Sequence, residues 1–381
     1  MRQPSNRRWR LYPACSTRAA ARSARPPTSS TERMPNAVDA NAPGKLFLIG
    51  EYAVLDGAPA LLTAVDRRVH VRVARAPSGH WSLTAPNLGL DRLDLGPHAS
   101  RRPAFARDVE ARLAVFDAVR EDFLNTADIE PTPVHITIDS ADFARDGHKL
   151  GLGSSAAVAA ALYAALAEHA GVPLTRRTLA TAAIRAHRHA QNGAGSGGDV
   201  ASAVYGGLIS YTRDTEPTPL AWPADLAAFA VVTGTGASTP DLVGRVRAYA
   251  AAHPRAYNID IGHLAELAAT APRRLADTND FLALADAYFA ALCTLDTHAK
   301  AGIVSAQHHA LADLVADAGG VFKTSGAGGG DVGLVFVARG PNEQAVRRAL
   351  IEAGAEIVDL MFGAAGVRID SADIGDARQV R

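Results

Sequence analysis

One stretch decides the fold: KLGLGSSAAVAAALYAALAEHAG, residues 149–171. From Ser155 to His169 it is built of alanine, leucine and other strong helix formers, and Gly171 stands where a helix C-terminus favours one. Ahead of the helix, Gly151-Leu-Gly-Ser-Ser-Ala-Ala157 is nearly all small residues, so a ligand can approach the backbone closely. The unbonded N–H groups of a first helical turn suit an anion such as phosphate. Ser154 and Ser155 add hydroxyls able to bind phosphate oxygens or Mg2+. The same residues would also serve as an ordinary helix start with serine caps and alanine packing, and this stretch alone does not choose.

The flanks narrow the choice of architecture. The stretch mimics the dinucleotide fingerprint G-x-G-x-x-A, which requires a strand immediately before the turn and another after the helix. Here a polar connection, DFARDGH, precedes it and a second helix, about 176–191, follows. A Walker A loop occurs nowhere. Upstream, 44–50, 67–75, 80–85 and 134–140 read as strands and 108–123 as a helix. Downstream, a third helix starts near Asp199, strands follow at 206–212 and 226–234, and the proline-rich EPTPLAWPAD separates them. A helix after Ser238-Thr-Pro-Asp241, further helices between 261 and 318, strands 321–325 and 332–338, a helix 342–353 and terminal strands in 356–370 complete the chain. The strands alternate as half-covered antiparallel ones do, without a regular β-α-β beat, which predicts an α+β protein in two domains, 34–220 and 221–381.

Composition sets the outer limits. The 381 residues are 48% hydrophobic and 20% charged, a globular balance, and no run is long and apolar enough to span a membrane. Net charge is zero, so nothing general suggests nucleic acid. Two cysteines, Cys15 and Cys293, make neither a disulfide framework nor a four-cysteine metal site. A soluble cytoplasmic protein is expected. The zero hides an asymmetry, because residues 1–33 hold eight arginines and one acid, Glu32. That segment lacks a secretory h-region. It is expected to be a disordered or mis-called tail with Met34 as the true start, an organelle transit peptide being the other reading. Only four of 39 basic residues are lysines, and Lys45, Lys149 and Lys323 fall in the glycine-rich windows 42–57, 149–157 and 323–331. A lysine is a compact point charge that fits beside a phosphate oxygen where an arginine fork does not.

Three further constellations carry chemistry. Ala42-Pro-Gly-Lys-Leu-Phe-Leu-Ile-Gly-Glu-Tyr-Ala-Val-Leu55 delivers Lys45 at the start of a strand and Glu51 and Tyr52 at its end. Gly195-Ser-Gly-Gly-Asp-Val-Ala201 offers Asp199 near a helix start, which could equally be a capping acid. Lys323-Thr-Ser-Gly-Ala-Gly-Gly-Gly-Asp331 is a run too flexible for a turn alone and suggests close approach to a ligand or another backbone. His187 and His189, like His308 and His309, lack metal-ligand spacing and read as solvated or capping residues. Cys293 reads as core.

Taken in order, PGK…GEYAV, GLGSSAA, GSGxD and SGAGGGD resemble the motifs of the GHMP kinases over about residues 41–370. The resemblance implies an N-terminal domain like ribosomal protein S5 domain 2, a ferredoxin-like C-terminal domain, and ATP with Mg2+ bound between them. Within the superfamily, GEYAVL (50–55), AHRHAQNGAGSGGDVASAVYGG (186–207), TGTGASTPDLV (233–243) and KTSGAGGGD look most like phosphomevalonate kinases, with Thr324 the departure in the last. Mevalonate kinases tend to carry a glutamate on the helix before the catalytic aspartate, as a magnesium ligand, and Ala186-His187-Arg188-His189 has no acid there.

Carried over by motif, the resemblance implies that Lys149, Gly151, Leu152, Gly153, Ser154, Ser155 and Ala156 bind the nucleotide and that Ser155 faces the magnesium. It implies Lys45 and Asp199 as the catalytic pair, with Glu51, Tyr52, Ser196, Gly328 and Gly329 holding the acceptor. The implied reaction is phosphoryl transfer from ATP to the small molecule 5-phosphomevalonate, in isoprenoid precursor synthesis, with no nucleic-acid or membrane partner and a homodimer left open. A mevalonate or sugar kinase of the superfamily is the alternative. A silent paralogue that binds a ligand for regulation is the third reading, and the presence of Lys45, Ser155 and Asp199 tells against it.

Overall fold

The computed structural model describes residues 35–98, 102–127, 132–145, 148–193, 195–234, 238–371 and 378–379; the expected tail and Cys15 lie outside them. The elements in chain order are β1 (Ala37–Ile49), β2 (Ala60–Arg75), β3 (Trp81–Ala85), β4 (Leu90–Gly96), α1 (Arg107–Ala127), β5 (Val134–Asp139), β6 (Ala144–Arg145), β7 (His148–Lys149), α2 (Ser154–His169), α3 (Arg176–Ala190) and α4 (Gly198–Tyr205). There follow β8 (Leu208–Tyr211), β9 (Thr218–Leu220), β10 (Leu226–Val232), α5 (Thr239–Ala252), α6 (Pro254–Arg274), α7 (Thr278–Ala299), α8 (Ala306–Asp317), β11 (Val321–Thr324), β12 (Val332–Ala338), α9 (Pro341–Glu352), β13 (Ile357–Val358), β14 (Arg368–Ser371) and β15 (Arg378–Gln379).

The larger sheet runs β15-β14-β1-β2-β5-β3-β4, with β8 and β9 branching from β2. In β2 the alternation is visible in burial: Val69, Val71 and Val73 are at most 1% exposed, whereas His70 and Arg72 face solvent. Helix α2 lies on the covered face, against β1, β2, α1, α3 and α4. Twelve of its sixteen residues are buried, so it is enclosed on nearly all sides, and its alanines let the neighbours come close. The smaller sheet, β11-β12-β10-β13, is antiparallel throughout and packs against α7, α8 and α9 over a separate apolar cluster that includes Phe229, Phe289 and Phe322.

The observed architecture is the α+β one, and the short strands β6, β7, β9 and β15 are not among the expected elements. Strand β4 has no counterpart among the expected strands, because Leu-Asp-Arg-Leu-Asp-Leu-Gly is poor in β-branched residues; a tight turn at Pro86–Gly89 returns it onto β3. After the smaller sheet, β14 crosses back and pairs with β1, Val38 opposite Ser371 through Asn41 opposite Arg368, closing an edge that β1 would otherwise present.

One irregularity positions the site. The β1–β2 register shifts between Pro43 and Gly44. Beyond that bulge the Lys45 N–H donates to the Leu152 carbonyl at 2.9 Å, tying the loop before α2 to the strand beneath it.

Candidate active site

A cleft of about 590 Å³ opens where the N-terminus of α2, the ends of β1 and α4, and the 325–331 loop between β11 and β12 converge. Its walls include Lys45, Glu51, Tyr52, Lys149, Gly151, Leu152, Gly153, Ser154, Ser155, Ser196, Asp199 and Gly328. Two of the expected residues are not in the wall. Ala156 is 1% exposed and its N–H already donates to the Gly153 carbonyl at 3.1 Å, while the Gly329 N–H is taken by the Ile303 carbonyl at 2.8 Å. Both amides are spent on the protein itself.

The glycines before α2 are there for space and conformation. Gly151 and Gly153 have φ of +65° and +77°. A Cβ on Gly151 would lie 2.6 Å from the Asp331 carboxylate, and one on Gly153 would lie 2.9 Å from Cε of Lys45. The loop is thus pressed by an acid from one sheet and by an ammonium stem from the other. The Lys45 Nζ donates to the Gly151 carbonyl at 3.4 Å, and the residue is only 8% exposed. Burial holds its pKa below the usual lysine value, opposed chiefly by the charge of Asp199, then by Asp331 and Glu51. Both Lys45 and Asp199 line the cleft.

Asp199 is held by its helix start. Ser196 Oγ accepts from the Gly198 N–H at 3.2 Å, and the Ser196 carbonyl is gripped by Tyr211 Oη at 2.9 Å and by an Arg188 guanidinium N–H. Ser196 therefore acts on α4 as well as lining the cavity. Glu51 borders the cleft, but its side chain is 1% exposed and bonded to the fully buried Lys323 at 2.5 Å. Burial raises the Glu51 pKa, against the lowering effect of Lys323.

Asp331 and His187 are functional candidates that the sequence reading left out. Asp331 adopts a φ of +58°, faces Lys45 and Lys149, and has its pKa raised by burial. The available signal was its place as the acid ending the glycine run. His187, expected to be solvated or a cap, is 2% exposed and its Nε2 pairs with Ser155 Oγ at 2.9 Å, with the Gln191 side chain at 3.3 Å. The correction has a simple cause: α3 packs on α2, so the histidine one face of α3 presents lands on the start of α2. His189 and His309 are exposed as expected, and His308 does cap, its Nδ1 accepting from the Ser305 N–H at the start of α8. Cys293 is half-buried and packs against the smaller sheet's apolar cluster.

Backbone amides of a glycine-rich helix start, hydroxyls, a buried ammonium and the carboxylates of Glu51, Asp199 and Asp331 around one cleft make a site for handling phosphate. Residues 113–207 match the family model described as the GHMP kinases N terminal domain. The phosphomevalonate kinase of Streptomyces sp. (strain CL190) is 30% identical over 349 residues, covering 78% of this chain and 89% of that protein. The mevalonate kinase of Thermococcus sibiricus is 27% identical over 338 residues, covering 87% and 98%. The solved structure of Streptococcus pneumoniae phosphomevalonate kinase, in complex with phosphomevalonate and AMPPNP, superposes with a TM-score of 0.69 at 19% identity over 85% of this chain and 99% of that one, which establishes the shared fold. The chain belongs to the GHMP kinase family.

Proposed function

We propose that this kinase transfers the γ-phosphoryl group of ATP to 5-phosphomevalonate, giving 5-diphosphomevalonate in the mevalonate route to isoprenoid precursors, as a cytoplasmic enzyme acting between an N-terminal domain 34–220 and a C-terminal domain 221–381. The observation that carries this reading is the small-residue segment Gly151–Ser155 at the start of α2, lining one cleft together with Lys45 and Asp199. The long relative named phosphomevalonate kinase supports the choice of acceptor.

The triphosphate lies over Gly151–Ser155, with Lys149 beside it. Ser155 suits Mg2+, because its hydroxyl bonds to His187 Nε2 and keeps oxygen lone pairs for the cleft, and Mg2+ takes few protein ligands when phosphates and water supply the rest. Bound there, magnesium would offset the charge of the phosphate oxygens. The acceptor is a phosphate monoester with a second pKa of about 6, so its attacking oxygen is already anionic at pH 7 and needs no strong base. What the site must supply is positive charge and in-line positioning. Lys45 lies buried where it can lie between the two anions, and Asp199 orients Lys45 and the acceptor. Tyr52, Ser196 and Gly328 help to enclose the acceptor.

Mevalonate is the second reading, favoured by the relatives named mevalonate kinase. ADP release by the purified protein, measured separately with mevalonate and with phosphomevalonate, decides. Turnover on phosphomevalonate at least about 100-fold higher in kcat/KM is expected, a difference of roughly 3 kcal/mol. Preference for mevalonate overturns the acceptor, and tight ATP binding without turnover on any acceptor overturns the enzyme.

A further inference from the structure

Outside the phosphate cradle the described residues include a fully buried ion pair, Glu51–Lys323. The two side chains are 1% and 0% exposed and bond at 2.5 Å, although 272 positions separate them in sequence. A fully buried ion pair gives little net stability against an apolar pair of similar volume, so its presence asks for another explanation. Glu51 lies two residues beyond β1, the strand that carries Lys45, and Lys323 lies in β11, two residues before the glycine loop. Lys323 Nζ also donates to the Thr324 carbonyl at the loop's threshold. The Gly326 N–H favours the charged form of the same Glu51 carboxylate.

Further bonds fix the same two segments. Ser325 Oγ accepts from the Phe47 N–H and donates to the Phe47 carbonyl, both at 3.0 Å. Tyr52 Oη donates to the Ala327 carbonyl at 2.6 Å, and Tyr288 of α7 donates to the Glu51 carbonyl at 2.8 Å. The Ser325 and Tyr52 bonds hold the loop against the segment that presents Lys45, and the Tyr288 bond fixes Glu51 to α7. A Cβ placed on Gly326 would lie 3.9 Å from the Lys45 ammonium, so the height of the loop sets the space in front of that charge.

We propose that Glu51 and Lys323 form a positioning pair that seats the 325–330 loop over the phosphate-transfer site, and that Glu51 acts through this loop and not by touching the acceptor. This rests on the phosphoryl-transfer reading above and changes the role that the sequence motif implied for Glu51. A misplacement of about 1 Å in such a site can lower the rate by about 100-fold, so the pair matters to catalysis without contacting a reacting atom.

The test is a double-mutant cycle with Glu51→Gln, Lys323→Met and both together, read as kcat/KM and as hydrogen exchange of the 325–330 amides. Each single variant is expected to lose about 100-fold in kcat/KM. The double variant should lose no more than either single one. Exchange should quicken in 325–330 in all three while α2 keeps its protection. If a single variant does not fold, the double variant, which buries no lone charge, carries the test. A near-wild-type rate for Lys323→Met with a raised acceptor KM for Glu51→Gln would overturn the proposal, as would losses that multiply or a double variant whose loop exchanges like wild type. Should the wild-type protein phosphorylate no acceptor, the functional reading fails, and loop exchange together with the affinity for a nonhydrolysable ATP analogue still decides the pair.

Discussion

Gly151 is the residue at which both halves of the site are most tightly constrained. Any side chain there must accept a φ of +65° and displace Asp331. An L-residue in that conformation costs about 1–2 kcal/mol, so Gly151→Ala should weaken ATP binding by about 10-fold or more, read by titration calorimetry. An unchanged affinity would mean that the loop does not cradle the nucleotide. The charge on Lys45 gives a second expectation. Asp199 contributes the largest favourable charge to an ammonium that burial is pushing toward neutrality. Removing it by Asp199→Asn lets Lys45 lose its proton at lower pH, so the alkaline fall of kcat should move to lower pH. A limb that stays in place would uncouple the two residues.

At the scale of elements, the helix starts carry most of the polar logic. In α8, His308 is wholly buried and its Nδ1 accepts the Ser305 N–H, an arrangement only the neutral ring can make. Burial, then the nearby His309, depresses its pKa to about 4. An unfolded histidine takes up its proton near 6.5 while the folded one stays neutral, so stability present at neutral pH is lost as pH falls from about 6.5 to 4, by about 3 kcal/mol. His308→Gln should therefore be less stable at pH 7.5 yet lose less Tm between pH 7.5 and 5 than wild type. An equal loss in both proteins would remove this histidine from the acid response. The elements were legible in the sequence to unequal degrees. Helix α2 was evident because its composition and its burial agree, and β2 because valines alternate with polar residues. Strand β4 was hidden by its aspartates, and β14's return to β1 is a tertiary choice that no local pattern encodes. Lys45, Ser155 and Asp199 are marked by their glycine neighbours, whereas the contact of His187 with Ser155 exists only once α3 packs on α2.

At the scale of the whole molecule, the cleft is bounded by residues from both sheets, so a ligand filling it ties them together. A nonhydrolysable ATP analogue at 100 times its dissociation constant should stabilise the fold by about 2.7 kcal/mol, raising Tm by several degrees. An unshifted Tm at that saturation would place the ligand elsewhere. The account as a whole rests on the opposition of Lys45 to the first turn of α2, and a single-turnover comparison of wild type, Lys45→Ala and Asp199→Asn on ATP and phosphomevalonate tests it most directly. Lys45→Ala is predicted to bind the nucleotide within a few-fold of wild type and to lose about 1,000-fold or more in the transfer step, with Asp199→Asn losing less. A mild effect of Lys45→Ala beside a complete loss in Asp199→Asn would contradict the account and make the carboxylate, not the ammonium, the centre of the chemistry.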